Sequence, residues 1–164
     1  MIEFKYYGKI KSKGRPRHRI VKGQKAIYAQ TYTDKQTQEY EEDIKMAYLN
    51  SWKEHTNEPY KDPSVSLKIS IEAFIKPPKA TSKKKLQAML EYEIRPTTKP
   101  DADNIAKAVL DSLNAVAYPD DKQICDLHIT KYYAEQEYMI VRIFTIEEEL
   151  QWKLEYLSKK YLKN

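Results

Sequence analysis

Val65, Leu67, Ile69, Ile71, Ala73 and Ile75 stand at strict period two. Side chains alternate between faces along a strand, so this spacing puts all six on one side of a sheet. Pro77 and Pro78 end the run, since neither can donate a ladder hydrogen bond. A sheet buried on one face needs a second layer to cover it. Helical patterns before and after the strand can supply that layer. Tyr40, Ile44, Ala47 and Tyr48 form one apolar stripe, in a helix expected from a Thr33 cap to about Trp52. Ile105, Ala106, Val109, Leu110, Leu113 and Val116 form a second, in a helix expected from about Asp103 to Ala117. Pro119 cannot continue it.

The remaining segments fill in around these. Ile2, Phe4 and Tyr6 alternate with polar residues in an expected strand over 2–10. Residues 18–21 and 26–31 read as an extended pair joined by a turn at Lys22-Gly23-Gln24. Residues 53–63 read as a polar loop, and Ser82 as the cap of a short helix carrying Leu86, Met89 and Leu90. Residues 124–133 and 138–146 read as a hairpin, whose second strand is apolar on both faces and is expected inside the sheet. A last helix is expected over 147–162, with Leu150, Leu154, Leu157 and Tyr161 on one side. The pattern is one α/β (α+β) domain, a mixed β-sheet packed with helices.

Charge is distributed unevenly. Nine Lys or Arg and no acid lie between Phe4 and Thr33, so subtracting nine from the formal net charge of +5 leaves −4 for the rest. Such a block suits a polyanion, DNA or RNA first of all, or else is a solvated loop. The single cysteine, Cys125, excludes an intramolecular disulfide and reads as a small core hydrophobe. His18, His55 and His128 are not spaced as zinc ligands, and no glycine-rich phosphate loop is present, so no nucleotide cofactor is expected. No apolar run reaches the ~20 residues of a membrane span, and the N-terminal residues lack a signal-peptide pattern. A soluble cytoplasmic protein with no membrane partner is expected.

The residues able to do chemistry cluster in one stretch. Asp101, Asp103, Asn104, Lys107, Asp111 and Asn114 lie at or just before the second helix, opposite its apolar stripe, and Asp120-Asp121 follow in the returning loop. Aspartates converging from a helix start and a nearby loop suit a hard cation, which takes oxygen ligands. Such a cation polarises a phosphodiester and activates water. Lys107 could neutralise charge developing on the phosphate. Each residue also has a plain structural use: Asp103 as a cap, Asp120 and Asp121 as turn formers, Asp111 as an ion partner of Lys107. The combination in a basic chain favours the catalytic use.

The order Asp101-Ala-Asp103-Asn104, Lys107, Asp111-Ser-Leu, then Asp120-Asp121-Lys-Gln123-Ile124 resembles the signature of the RusA family of Holliday junction resolvases. The strong resemblance covers 99–126. A weaker likeness of layout runs from 1 to 146 and includes Lys-Gly-Arg-Pro-Arg at 13–17. The resemblance implies a RusA-like domain over 1–164, with 147–164 as a C-terminal helical extension. It implies a homodimeric, Mg2+-dependent endonuclease for branched DNA, often prophage-borne. It places the three metal-binding catalytic aspartates on Asp101, Asp103 and Asp121 (Asp120 being the neighbouring alternative) and the catalytic lysine on Lys107. DNA contacts are expected from Lys13, Arg15, Arg17 and Arg19. A nuclease for flaps or forks would use the same residues, whereas a purely DNA-binding protein would gain nothing from carboxylates facing phosphate.

Overall fold

The computed structural model describes residues 1–14, 17–22, 27–55 and 59–161. The expected long strand is β4, Leu67–Ile75, with Leu67, Ile69, Ile71 and Ala73 buried on one face. On one side it pairs antiparallel with β6, Tyr138–Thr145, placing Ile71 opposite Val141. On the other it pairs parallel with β5, Ile124–Tyr133, placing Ile71 opposite Ile129. β1, Ile2–Tyr7, closes the far edge antiparallel to β6, giving the order β1-β6-β4-β5.

This order corrects the expected hairpin. β5 and β6 are consecutive in sequence, yet β4 lies between them. The β4–β5 connection carries two helices, long enough for the crossover a parallel pair needs. β4 thereby gains partners on both edges. β6 is interior, as its two apolar faces predict. β5 becomes an edge strand, and this explains a second correction: Cys125 is exposed, and so is its neighbour Leu127.

One face of the sheet is covered by α1, Lys35–His55, and α3, Ala102–Leu113. Tyr40, Ile44 and Tyr48 of α1 and Ile105, Val109 and Leu113 of α3 are buried against Ile2, Phe4, Met139, Val141 and Ile143. Each of the aliphatic, Met and Phe side chains among them gains about 1.5–3 kcal/mol on leaving water. Edge-to-face ring pairs, Phe4 with Tyr48 at 5.8 Å and Tyr6 with Tyr40 at 5.6 Å, set the seat of α1 on β1. The cap of α1 is Asp34, whose carboxylate accepts the Thr37 N–H at 3.2 Å, and not Thr33 as expected. α3 is shorter than its apolar pattern. It ends at Leu113, and Ala115 takes a left-handed φ of 59° that turns the chain away.

The other two helices differ in kind. α2, Lys83–Leu90, starts after Ser82 as expected, although that hydroxyl makes no capping bond. α4, Ile146–Tyr161, attaches to the opposite face of the sheet. Trp152 packs on Phe144 and lies near the Arg142 guanidinium, and Lys68 of β4 pairs with Glu149. Its leucines, by contrast, are exposed. The extended pair forms as β2, Arg17–Lys22, and β3, Ile27–Tyr32, in a separate two-stranded sheet. Gly23 and Gln24 of its expected turn lie outside the described residues.

Candidate active site

α3 presents its polar face because its buried positions leave no alternative. With Ile105, Ala106, Val109 and Leu113 under the sheet, Asp103 and Lys107 are exposed and Asp111 is half-buried on the other side. Asp101 is the N-cap, in extended geometry, and its carbonyl accepts the Ile105 N–H at 3.1 Å. Its carboxylate makes no capping bond and stays exposed. Among the described residues Asp103 accepts a single long bond, from the Asn104 amide at 3.4 Å. Both carboxylates sit where the positive end of the helix dipole stabilises anions. Neither they nor Lys107 has an ion-pair partner among the described residues.

The loop that delivers Asp101 is held from the sheet. Lys131 of β5 donates to the carbonyls of Thr98 at 2.9 Å and Pro100 at 3.0 Å. Arg95 in turn donates to the Lys131 carbonyl at 3.2 Å and lies over the Tyr132 ring at 3.7 Å.

At the other end of β5 the two neighbouring aspartates have different jobs. Asp120 caps the short 3-10 turn Asp121–Gln123 in a reciprocal capping box. It accepts the Lys122 N–H at 3.0 Å, which is the main reason its pKa is held below the ordinary carboxylate value. Gln123, buried, answers at the Asp120 N–H and donates to the carbonyls of Asp62 and Val65. Asp121 is half-buried and pairs with no cation among the described residues. Below it lies the buried Tyr118, whose hydroxyl donates to the Leu110 carbonyl at 3.1 Å. Burial raises the pKa of that hydroxyl, and the Asp121 and Asp111 carboxylates raise it further.

Asp101 and Asp103 thus start α3, near Lys131, while Asp121 precedes the Ile124 end of β5. Among the described residues no group of three or more His, Cys, Asp or Glu side chains is gathered as a ligand set. The donor type fits a hard divalent cation: Asp101 and Asp103 offer exposed carboxylate oxygens from one helix start, with open solvent for the waters such an ion keeps, while Asp121 is half-buried.

Of the residues read as DNA contacts, Arg17 and Arg19 stand exposed on β2, with Arg19 donating to Gln30 and lying over Tyr32. Arg15 lies outside the described residues. Lys13 is engaged elsewhere: its ammonium is held by Asp111 and by Glu41 of α1, the latter at 2.7 Å. Asp111 therefore does not pair with Lys107. Burial pulls the Lys13 pKa down, but the two carboxylates outweigh it and the net shift is upward. Sequence reasoning named Gln123 only within the family signature and missed its capping role, and it missed Lys131. The Asp-x-x-Gln spacing of a capping box marks the first. Nothing local marks the second, because its partners come from another element.

Comparison with known proteins places this arrangement. The model of the family described as endodeoxyribonuclease RusA matches residues 8–144, and the chain belongs to that family of Holliday junction resolvases. It is accordingly an endodeoxyribonuclease, a hydrolase acting on DNA. Among individual proteins, it is 34% identical over 142 residues to a protein named YqaN, described as uncharacterized, from Bacillus subtilis (strain 168); the match covers 87% of this chain and 94% of that one. The family match stops one residue before β6 ends, so α4 lies outside it. No helix among the described residues is long and apolar enough to cross a membrane.

Proposed function

We propose that the protein resolves Holliday junctions by paired nicks in DNA recombination and repair, as a Mg2+-dependent homodimer. One observation carries the reading. Asp101, Asp103, Lys107 and Asp121 are left without ion partners among the described residues, while their neighbours Asp111 and Asp120 are consumed by structural contacts. Apart from the helix-dipole stabilisation of Asp101 and Asp103, no structural contact uses these charges among the described residues, so they are available to a ligand. Asp101 and Asp103, which share the start of α3, would hold the cation, which when bound polarises the phosphate and activates water; Asp121, at the other end of β5, is the third ligand that the family resemblance implies. Lys107, one helical turn from Asp103, neutralises charge developing on the scissile phosphate. Arg17 and Arg19 lie along the DNA arms and neutralise flanking phosphates.

A four-way junction has approximate two-fold symmetry and must be cut on two strands. A C2 dimer matches that symmetry and makes the second cut effectively intramolecular. The test is cleavage of a synthetic four-way junction with and without Mg2+. Asp103→Asn should lower the rate by roughly a thousandfold, the loss of several kcal/mol of transition-state stabilisation. Junction binding should stay near wild type or tighten, because a charge repelling phosphate is gone. Full Mg2+-dependent cleavage by that variant removes the assignment. Preferential cleavage of flaps or forks keeps the site and changes the substrate.

A further inference from the structure

The β2–β3 ribbon pairs with no other strand among the described residues. It forms a sheet of its own, and Arg17, His18, Arg19, Ile20, Gln30 and Tyr32 are all exposed. A two-stranded ribbon alone is marginal in water, so its direction is set by what holds its two legs. Both legs converge on one point. The incoming leg is fixed at Gly14, whose N–H donates to the Thr37 hydroxyl at 3.3 Å. The outgoing leg ends at Asp34, which accepts from the same hydroxyl at 2.9 Å and caps α1. A Cβ at Gly14 would lie 2.5 Å from Asp34 Oδ2 and 2.7 Å from Thr37 Oγ1, so a side chain there would displace the two groups that tie the legs together.

Next to this knot, Lys13 reaches the helix that carries the site. Its N–H donates to the Asn104 carbonyl at 3.3 Å, one residue after Asp103. Its ammonium, on a side chain only 15% exposed, bridges Asp111 of α3 and Glu41 of α1. From Gly14 to Arg17 the chain can span no more than about 10 Å, so the first cation of the ribbon is held close to the site helix.

We propose that Lys13 is a positioning residue: its bridge to Asp111 and Glu41 locks the basic ribbon to α3, so that ribbon and site helix meet the DNA as one preorganised surface. The inference rests on the nuclease reading above for its kinetic consequence, but not for the clamp itself. Removing the ammonium leaves two carboxylates facing each other without a cation, and their repulsion opens the clamp. The ribbon then keeps its arginines but loses its fixed place, which lowers the effective concentration of its contacts once the junction is bound elsewhere.

Two readouts test this on the full chain. In amide hydrogen exchange without DNA, Lys13→Met should speed exchange at the Lys13 and Gly14 N–H groups and across 17–22 and 27–32, with the core of α3 unchanged. With a four-way junction and Mg2+, Lys13→Met should raise KM roughly tenfold while kcat at saturation stays within about twofold. The log–log slope of junction affinity against salt should not change, because no phosphate contact is lost. Lys13→Glu combined with Asp111→Lys rebuilds one cation between two carboxylates and should recover exchange protection and KM. This double variant also decides the matter if Lys13→Met does not fold. A Lys13→Met slope shallower by about one unit with exchange unchanged makes Lys13 a phosphate contact and overturns the clamp. Exchange unchanged in Lys13→Met, or no recovery in the double variant, overturns it as well. If the wild type cuts no junction, the junction-resolving reading falls and the exchange result alone judges the clamp.

Discussion

α3 and α4 are both amphipathic in sequence, and the structure treats them oppositely. The centre of the α3 stripe is fully buried, with Ile105, Val109 and Leu113 at 0% exposure and Leu110 half-buried, whereas Leu150, Leu154 and Leu157 of α4 are 58%, 69% and 47% exposed. The difference lies in what each helix is offered. α3 follows a loop held by Lys131 and lands on the face where β1, β4 and β6 present buried side chains. α4 follows β6 directly and meets the opposite face, where Phe144, Arg142 and Lys68 lie. That face receives Trp152 and Glu149, and the leucine stripe turns outward. Helical period identifies an apolar face but not the surface that face will meet.

The largest expected effect sets one stripe against the other. Leu113→Ala in α3 removes a side chain from a closed core and should cost about 2–5 kcal/mol of stability, read from urea denaturation. Leu154→Ala in α4 should change stability by no more than about 0.5 kcal/mol in a monomeric sample, since little is buried there. Equal losses from the two variants would mean that the α4 stripe is covered in solution.

A smaller effect separates the basic residues on the two sides of the sheet. Arg17→Ala with Arg19→Ala should make the salt dependence of junction affinity shallower, by roughly one log–log unit for each true phosphate contact. Lys153→Ala with Lys159→Ala on α4 should leave that slope unchanged. Lys153 already pairs with Glu149 at 2.7 Å, and α4 lies outside the family match. A shallower slope from the α4 pair would put DNA on both sides of the molecule.

Much of this contrast is readable in the chain and part is not. The alternation from Leu67 to Ile75 and the stripes of α1 and α3 dictate a one-sided sheet under helices, as found. The cap at Asp34 instead of Thr33, and the end of α3 at Leu113, are shifts of a residue or a turn, decided by local hydrogen bonds and the backbone at Ala115. The strand order was not readable, because pairing across the sheet is non-local and the residues of β5 and β6 suit a hairpin equally well. Cys125 looked like core for the same reason: only an edge position exposes it. In the candidate site, Asp101, Asp103, Lys107 and Asp121 stood out by spacing. The roles of Lys13 and Lys131 depend on partners from other elements, Asp111 and Glu41 for one and the loop at Thr98–Pro100 for the other. Composition marks Lys13 only as one more cation.

The smallest effect concerns how α4 is attached. Glu148 accepts from the Met1 ammonium at 2.5 Å, from the Tyr60 hydroxyl and from the Thr145 N–H at 2.8 Å. Partial burial pushes the Glu148 pKa up, but these donors outweigh it and the net value lies below that of a free glutamate. A depressed folded-state pKa means that the unfolded chain binds the proton more readily. The stabilisation is therefore complete above the unfolded pKa of about 4.3 and is lost as pH falls through the folded value. Tyr60 feels the converse: burial, and then the Glu148 charge, raise the pKa of its hydroxyl, so it stays protonated and donating across this range. The contacts are partly solvated, and screening limits the contribution to about 0.5 kcal/mol. Trp152, against Phe144 and Tyr156, reports on the attachment through its fluorescence. Lowering the pH from 6 to 3 should shift that signal in the wild type before the core unfolds. Glu148→Gln should remove this early transition, while Asp62→Asn should not. Asp62 is also held below its ordinary pKa, chiefly by the Ser64 hydroxyl, but it lies in the loop before β4 and away from α4. An early transition that survives in Glu148→Gln would show that α4 is held by Trp152 packing alone, and the contrast with α3 would then be one of buried area only.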